Sequence, residues 1–375
     1  MVITGAQIYT KDHTFQQQDL FLQGDRIVDT LEDDGQRLCA EGLYGIPGLI
    51  DLHLHGALGC DVCDAQPESL ERIARYEAQH GVLAFCPTTM SCQEERLERI
   101  MDAGRQFAEQ EVAGCADLVG LHLEGLFLNP QKAGAQDASY CIRPDVAMLQ
   151  RLQERSGGRI RLVDIAPELE GGMEFVASCH TQVNIALAHT QATYEEAVGA
   201  FDAGARRMTH LYNAMPGIHH RQPGPIIAAY ERHAQVELIA DGVHVHPAMV
   251  RFAFQTFGED RVILVSDSME ATGLADGGYQ LGGQAVVKQG DHAVLAEHPQ
   301  VIAGSVTNLF DCMRNAVKMG IPLTAAVRAA TENPAKALGI DGEYGSLATG
   351  HYANVLLVDD KLRLQHVICR GQLLF

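Results

Sequence analysis

Short apolar runs recur through the middle of the chain, and a stretch with helical spacing follows each of them. Runs of six or seven residues that are rich in β-branched and aliphatic side chains are typical of buried parallel strands. Eight alternations of strand and helix predict an α/β fold, the (β/α)₈ barrel. The eight runs are 49–55, 82–88, 118–124, 160–166, 183–189, 206–211, 236–241 and 262–267.

Several helix boundaries can also be predicted. Ser91 to Glu94 and Thr193 to Glu196 have the capping-box pattern, in which side chains satisfy the free amides of the first helical turn. Both therefore predict a helix start. Apolar periodicity predicts further helices over 68–79, 144–154, 247–257, 308–319 and 324–332.

The two ends of the chain have a different pattern, with short segments of alternating polarity that indicate antiparallel strands. Because both ends flank the barrel, we expect them to form one small discontinuous β-sandwich. The predicted domains are the sandwich, over 1–48 and 347–375, and the barrel, over 49–346. The segments that carry this prediction are 20–23, 27–29, 354–358 and 365–369.

Composition excludes several classes of function. A formal net charge of -20 without a basic stripe argues against nucleic-acid binding, although a few local Arg and His side chains can still bind one phosphate. No uninterrupted apolar run approaches the ~20 residues that span a bilayer, so no membrane partner is expected. The first 13 residues lack the features of a signal peptide, which predicts a cytoplasmic protein.

The ten cysteines are irregularly spaced, as expected of reduced thiols in a chain of this size. Cys60 and Cys63 form a C-x-x-C pair that has two interpretations, a redox or zinc pair or merely adjacent loop thiols. No second pair completes a zinc site, so the second interpretation is preferred.

His53 and His55 lie at the end of the first predicted strand. The strand period of two places both imidazoles on one face, directed into the barrel. Two interpretations remain, a metal-ligating pair and a structural pair of buried histidines. Catalytic groups project from the carboxyl ends of barrel strands, and this position favours ligation.

Three further strand ends carry Glu124, His189 and His210. A buried carboxylate is costly without a partner, and a divalent cation is the simplest one for Glu124. One carboxylate and two imidazoles leave a coordination position open, as catalytic zinc requires, which predicts a hydrolase. His122 lies on the same face as Glu124 and either supports a metal ligand or is a packing residue, and packing is preferred.

Asp267 ends the last predicted strand. A nearby cation keeps its carboxylate ionised, so it can accept a proton from water and pass it to a leaving amine. The alternative, an N-cap for the following loop, is compatible with this role. We therefore predict that Asp267 is the catalytic acid and base.

Over nearly its whole length the chain resembles the amidohydrolase superfamily and, within it, the N-acetylglucosamine-6-phosphate deacetylases. Each matching segment alone is weakly specific, but their order is highly specific. They are 47–59, 122–129, 132–136, 188–190, 209–216, 221–224, 241–244, 265–273 and 303–305.

The resemblance implies metal ligation by Glu124, His189 and His210, acid and base catalysis by Asp267, and hydrolysis of the acetamide of an amino-sugar phosphate. It also implies a homodimer whose partner supplies some phosphate contacts. The metal is one or two divalent ions, zinc before iron. The implied substrate-binding positions are Ala135, Gln136, Asn213, Ala214, Arg221, Asp241, His244, Ile302, Ala303 and Gly304.

The chain departs from the family at two positions, Leu126 where many relatives have Pro, and Gln136 where many have a His that helps to polarise the substrate carbonyl. Gln136 can donate a hydrogen bond but no charge. Since the chain also retains His53 and His55, which others lack, we hypothesise that a second cation supplies this polarisation.

Other activities remain open. The same site can serve a deacetylase for the galacto epimer or a cyclic-amide hydrolase. A third interpretation, from a different class, is a non-catalytic metal-binding scaffold, which the intact ligands and Asp267 disfavour.

Overall fold

The computed structural model describes residues 1–31, 35–110 and 112–375. The chain begins with short strands whose apolar side chains are buried, such as Ile3 and Ile8. These strands are β1 (Val2–Thr4), β2 (Gln7–Tyr9), β3 (Phe15–Gln17), β4 (Leu20–Gln23), β5 (Arg26–Val28), β6 (Arg37–Cys39) and β7 (Tyr44–Pro47).

The predicted apolar runs form the parallel strands of the barrel. Burial on both sides explains why these strands are apolar without alternation. The barrel strands are β8 (Leu49–Leu54), β11 (Val82–Pro87), β13 (Leu121–Phe127), β14 (Ile160–Ile165), β15 (Asn184–Leu187), β16 (Arg207–Met208), β17 (Gln235–Ile239) and β18 (Val262–Val265). Three short strands, β9 (Gly56–Ala57), β10 (Cys60–Asp61) and β12 (Asp117–Leu118), lie between them.

The parallel pairs close into a ring. β13 to β18 form one six-stranded sheet, and β8 and β11 pair in a second one. A bridge between Thr88 and His122 joins β11 to β13. Leu54 bridges Ser268, and the Asp267 amide donates to the His53 carbonyl at 2.9 Å, so the first strand meets the segment after the last. The predicted (β/α)₈ barrel is confirmed.

Two strand predictions need correction. The run 118–124 is divided, and β13 continues to Phe127, so Glu124 lies within the strand and does not end it. The pairing register shifts between Leu123 and Phe127, and Gly125 in this irregular part has a φ of 117°. The run 206–211 forms only the two-residue strand β16, because the backbone turns to positive φ at His210.

Helices surround the barrel, and all five predicted by periodicity are present with small changes of boundary. They are α1 (Pro67–Gln79), α2 (Glu94–Ala108), α3 (Val146–Arg155), α4 (Gly172–Cys179), α5 (Tyr194–Asp202), α6 (Gly224–Glu231), α7 (Pro247–Phe257), α8 (Leu309–Lys318), α9 (Leu323–Ala330) and α10 (Glu332–Leu338). Short 3₁₀ helices cover Val62–Asp64, Pro130–Lys132 and Ala138–Tyr140. Within the described residues, no helix is long and apolar enough to cross a membrane.

Only one of the two capping boxes forms. Thr193 and Glu196 cap α5 reciprocally. α2 starts at Glu94 after Gln93, without a side-chain cap. Ser91 is used elsewhere, since its Oγ accepts a hydrogen bond from the Asp137 amide at 2.7 Å. The first capping-box prediction was therefore wrong.

A three-stranded antiparallel sheet, which no apolar run predicted, is inserted between β18 and α8. Its strands are β19 (Gly277–Leu281), β20 (Gln284–Gln289) and β21 (His292–Leu295). Leu281 is buried, and Asp61 Oδ2 accepts a hydrogen bond from the Gly282 amide at 2.9 Å. The insertion is thereby held against the loop that follows His55.

The C-terminal strands return to the N-terminal ones. They are β22 (Val355–Val358), β23 (Leu364–Cys369) and β24 (Gln372–Leu373). One sheet has the order β24-β23-β22-β7-β2-β3 and mixes both termini, while the other has the order β5-β4-β1-β6. Ile3, Leu22, Leu357 and Ile368 from the two sheets share one apolar core, so the small β-sandwich is observed.

We propose the domain boundaries 1–48 and 347–375 for the sandwich and 49–346 for the barrel. β7 ends at Pro47 in the first sheet, and β8 begins at Leu49 in the barrel, which supports a boundary at 48. Arg26 and Arg370 stack on Tyr352, with centroid distances of 3.6 and 3.4 Å, which strengthens the sandwich through cation–π contacts.

Candidate metal centre and active site

Three of the predicted site residues lie two positions beyond the end of a barrel strand. His189 follows β15, His210 follows β16 and Asp267 follows β18, with φ values of 42°, 31° and 51°. A non-glycine residue in this region costs on the order of 1 kcal/mol or more and is often found at functional sites. The same departure from strand geometry recurs at three strand ends, and their side chains converge on one cavity.

Glu124 lies between two pairs of histidines. Its Oε1 is 3.1 Å from Nε2 of His189 and 3.4 Å from Nε2 of His210. Its Oε2 is 3.4 Å from Nε2 of His53 and 3.3 Å from Nε2 of His55. All five residues are buried. Each carboxylate oxygen therefore faces its own pair of imidazole nitrogens.

Three of the four remote ring nitrogens face oxygen atoms, and the fourth, His210 Nδ1, is buried without a hydrogen-bond partner among the described residues. His55 Nδ1 is 3.2 Å from the Thr88 carbonyl, and His189 Nδ1 is 2.7 Å from the Lys132 carbonyl. His53 Nδ1 is 3.1 Å from Oε2 of the buried Glu237 carboxylate. In the neutral imidazole an oxygen acceptor holds the proton on Nδ1, so Nε2 is the nitrogen that can bind a metal, as at metal-ligating histidines.

This donor set fits a divalent cation. Glu124 Oε2 is buried and has no hydrogen-bond partner among the described residues, although an unpaired buried carboxylate oxygen is costly. Glu124 with His189 and His210 forms one compact group, and Glu124 with His53 and His55 forms another. Imidazole and carboxylate ligands suit zinc, iron and related divalent ions.

The thiols take no part in these groups. All ten cysteines are free, and Cys60 and Cys63 are both buried. Within the part of the chain that the structure describes, the candidate metal groups contain only His and Glu. Cys60 lies in β10 and Cys63 in the 3₁₀ helix Val62–Asp64, so the prediction that both lie in a loop was wrong, while their interpretation as adjacent thiols without a metal is retained.

Asp267 lies on the His53 and His55 side of the centre. Its Oδ1 is 3.2 Å from Nε2 of His55 and 3.5 Å from Nε2 of His53. Burial alone would raise the pKa of Asp267, but the two imidazoles outweigh it and lower the pKa to about 2. The carboxylate is therefore ionised at neutral pH and can accept a proton.

A cavity of about 390 Å³ opens above these groups. The wall includes His55, Glu124, His189, His210 and Asp267, whereas His53 does not line the cavity, and the β19–β21 insertion contributes Leu281. Of the predicted substrate-binding positions, the cavity is lined by Ala135, Gln136, Asn213, Ala214, His244, Ile302 and Gly304.

Two of these side chains are held by defined contacts. Gln136 Oε1 accepts a hydrogen bond from the Ser91 amide at 2.6 Å, which leaves its amide nitrogen as the remaining donor. His244 Nδ1 is 2.7 Å from Asp241 Oδ2, which fixes the ring while Asp241 stays outside the cavity lining. Burial raises the pKa of Asp241, but His244 outweighs it and lowers the pKa.

Not every predicted position lines the cavity. Ala303 is fully buried between two lining residues, and Arg221 is exposed, with its guanidinium 2.7 Å from His220 Nε2. Lys132 lines the cavity but was not predicted to bind substrate, because a single loop lysine has no distinctive pattern. Its position in 132–136, one of the segments that carry the resemblance, was the sequence feature that could have indicated a binding role.

The Amidohydrolase family model matches residues 44–374. The chain belongs to the amidohydrolase family. The matched range covers the barrel and all three C-terminal strands, so the family assignment rests on nearly the whole molecule.

Relatives within this amidohydrolase family are similar over most of their length. The N-acetylglucosamine-6-phosphate deacetylase of Bacillus subtilis is 36% identical over 88% of this chain and 84% of its own. The N-acetylgalactosamine-6-phosphate deacetylase of Escherichia coli O157:H7 is 35% identical over 92% of this chain and 90% of its own. A solved structure is also similar, that of a Mycobacterium smegmatis N-acetyl-D-glucosamine-6-phosphate deacetylase mutant in complex with N-acetyl-D-glucosamine-6-phosphate. Its TM-score is 0.93 at 32% identity, and the match covers 100% of this chain and 98% of that chain.

Zinc binding should release protons. Burial lowers the pKa of His55, but Asp267 and Glu124 outweigh it and raise the pKa to about 9 when no cation is bound. Below that pH a proton occupies His55 Nε2 and must leave before a cation binds there. We therefore expect proton release at pH 7 and weaker zinc affinity as the pH falls from 9 toward 6. Zinc titration with a pH indicator, and chelator competition at several pH values, measure both effects. Zinc uptake at pH 7 without proton release would contradict the expectation.

Proposed function

We propose that this amidohydrolase hydrolyses the acetamide of N-acetylglucosamine 6-phosphate to glucosamine 6-phosphate and acetate. The observation that carries the proposal is the Glu124 carboxylate between two pairs of histidines. Asp267 lies in the cavity wall beside them, with its Oδ1 3.2 Å from Nε2 of His55. Relatives of both epimer specificities, at 35% and 36% identity, support a hexosamine 6-phosphate as the substrate class.

The proposal assigns the proton transfers to Asp267. A bound divalent cation supplies Lewis-acid polarisation of the acetyl carbonyl and lowers the pKa of water. Asp267 accepts a proton from the attacking water and returns it to the departing amine as the carbon–nitrogen bond breaks. Gln136 is proposed to donate its amide hydrogen to the carbonyl oxygen, since its own oxygen is engaged by Ser91.

We propose two ions, zinc before iron. Glu124 Oε1 with His189 and His210 would hold one, and Glu124 Oε2 with His53 and His55 the other. The distances of 3.1 to 3.4 Å from these oxygens to the four Nε2 atoms support a shared carboxylate. The second ion would add the positive charge that Gln136 lacks.

Phosphate recognition is proposed to involve Lys132, His244 and Arg221. Lys132 and His244 line the cavity, and Asp241 orients the His244 ring. Because Arg221 is exposed and does not line the cavity of its own chain, we propose that it reaches the phosphate in the site of a partner subunit in a homodimer. A bidentate guanidinium suits phosphate oxygens. The ten free cysteines support a reducing, cytoplasmic location.

The first experiment measures acetate release from N-acetylglucosamine 6-phosphate, from its galacto epimer and from the unphosphorylated sugar, with metal content determined on the same sample. Rapid release that requires the phosphate and favours the gluco epimer is expected. Preference for the galacto epimer would move the assignment to that deacetylase. If metal-loaded protein released no acetate, the deacetylase assignment would be rejected. A cyclic-amide hydrolase would then be the next candidate, and a non-catalytic metal-binding scaffold the one after it.

Asp267→Asn should retain its metal and lose nearly all turnover. The amide keeps the shape of the carboxylate but cannot accept the proton, and removal of a general base typically costs about 10²–10⁴-fold in rate. Wild-type metal content is the control for site integrity. Substantial turnover in this variant would refute the assigned role.

Arg221→Ala should raise KM for the phosphorylated substrate and leave kcat nearly unchanged, because a remote charge contributes binding to substrate and transition state alike. The matched control is Arg143→Ala, which removes another exposed arginine that pairs with Glu170. Equal KM values for Arg221→Ala and wild type would remove Arg221 from the site.

Changing both His53 and His55 to Ala should halve the metal content and lower kcat. These imidazoles face Glu124 Oε2, away from His189 and His210. The first ion is expected to remain. Full metal content together with full rate would contradict the hypothesis that a second ion polarises the substrate.

A further inference from the structure

A layer of charged side chains lies inside the barrel beneath His53. Arg207, Glu237, Asp164 and His122 are at most 1% exposed. Glu237 Oε2 is 3.1 Å from His53 Nδ1, and Glu237 Oε1 is 2.9 Å from Arg207 Nε. An arginine without a counter-charge in such a place is strongly destabilising. The reaction proposed above does not use this layer.

We propose that Glu237 and Arg207 are positioning residues that fix the tautomer of His53 and thereby allow the barrel to hold a second divalent cation at His53, His55 and Glu124. The inference rests on the two-ion part of the proposed function. It adds two residues that contact neither substrate nor ion.

The argument follows from donors and acceptors. Arg207 carries only N–H donors, so the Glu237 atom facing it has to be an acceptor. The other oxygen of the same carboxylate faces His53 Nδ1 and accepts its proton. His53 Nε2 then keeps a lone pair, and it lies 3.4 Å from Glu124 Oε2 and 3.3 Å from His55 Nε2. One carboxylate oxygen of Glu237 is therefore required beside the guanidinium as its counter-charge, and the other as the acceptor for His53.

His122 does not compete for this role. It lies close enough to His53 and Glu237 to form a third candidate metal group. However, its Nδ1 is 3.0 Å from the Leu52 carbonyl and its Nε2 is 2.9 Å from Asp164 Oδ1. Each ring nitrogen thus lies within hydrogen-bond distance of an oxygen atom, and these contacts hold the ring in the layer beneath His53, so His122 is interpreted as a packing residue.

Glu237→Gln tests the tautomer directly. A carboxamide has one acceptor and one donor group, and Arg207 attracts the acceptor. The amide nitrogen then faces His53 Nδ1, which has to accept, so the imidazole proton moves to Nε2, where the cation would bind. We expect affinity for the second ion to fall about 10–100-fold, the usual effect of removing such a partner, and the content to fall from two ions to one.

The double variant Arg207→Met with Glu237→Gln should restore the second ion. Without the guanidinium, the amide oxygen is free to turn toward His53 and accept the Nδ1 proton again. A purely structural role predicts the opposite, because two buried changes would harm the site at least as much as one. Replacing a buried ion pair by neutral groups is often tolerated, so the double variant is expected to fold.

Asp164→Asn is the matched control. This carboxylate is equally buried, and its described contacts are with His122, Thr209 and Arg207, none of which is a proposed ligand of either ion. We expect this variant to be less stable than the wild type but to keep two ions.

Full-length proteins are stripped with chelator, reloaded at fixed free Zn²⁺, and measured for zinc per chain and for folding by circular dichroism. The expected contents are two ions in wild type, one in Glu237→Gln and two in the double variant and the control. Two ions in Glu237→Gln, or one in the double variant, would overturn the inference. If Glu237→Gln fails to fold, the zinc content of the double variant tests the inference, which two ions would support and one ion would overturn.

One ion in wild-type protein would also overturn the inference. Acetate release measured on the same sample tests the deacetylase separately, because the first ion and Asp267 do not depend on this layer.

Discussion

The carboxylate of Glu124, shared between two pairs of imidazoles, is the interaction on which the rest of the site depends. It is almost fully buried, so its charge has to be balanced locally. Burial raises the pKa of Glu124, but His53 and the neighbouring imidazoles outweigh it and lower the pKa well below its usual range. The irregular stretch of β13 places this carboxylate at the centre. A Cβ at Gly125 would lie 2.2 Å from the Ser91 amide, so the backbone there requires glycine.

Acidic and basic side chains alternate from the cavity down into the barrel. Asp267 faces the His53 and His55 rings, Glu237 lies behind His53, and Arg207 lies behind Glu237. Burial raises the pKa of Glu237, but Arg207 and His53 outweigh it and lower the pKa to about 2. Each side chain in this series is held by a contact with the next one, so the candidate ligands are already oriented in the structure without a cation.

Much of this arrangement could be predicted from the sequence, because strand ends in a parallel barrel meet at one face. His53, His189 and Asp267 were placed at such ends, and the structure brings them together. The left-handed turns that aim His189 and Asp267 were not predictable, since nothing in a run of apolar residues encodes a positive φ.

Other features were missed for different physical reasons. Arg207 was interpreted as part of a strand without a role, because arginine is rarely fully buried. The capping-box pattern at Ser91 was overridden by its contacts with the 136–137 segment. The β19–β21 insertion is rich in glycine and exposed residues, so its alternation was too weak to predict strands.

The peptide segments that carry His53, His55 and Asp267 also form the junction between the first and last barrel strands. The His55 amide donates to the Ser268 carbonyl at 2.7 Å, and the Asp267 amide donates to the His53 carbonyl. The ring of strands cannot part at this junction without separating the Asp267 carboxylate from the imidazoles beside it. Closure of the barrel therefore also brings these three candidate site residues together.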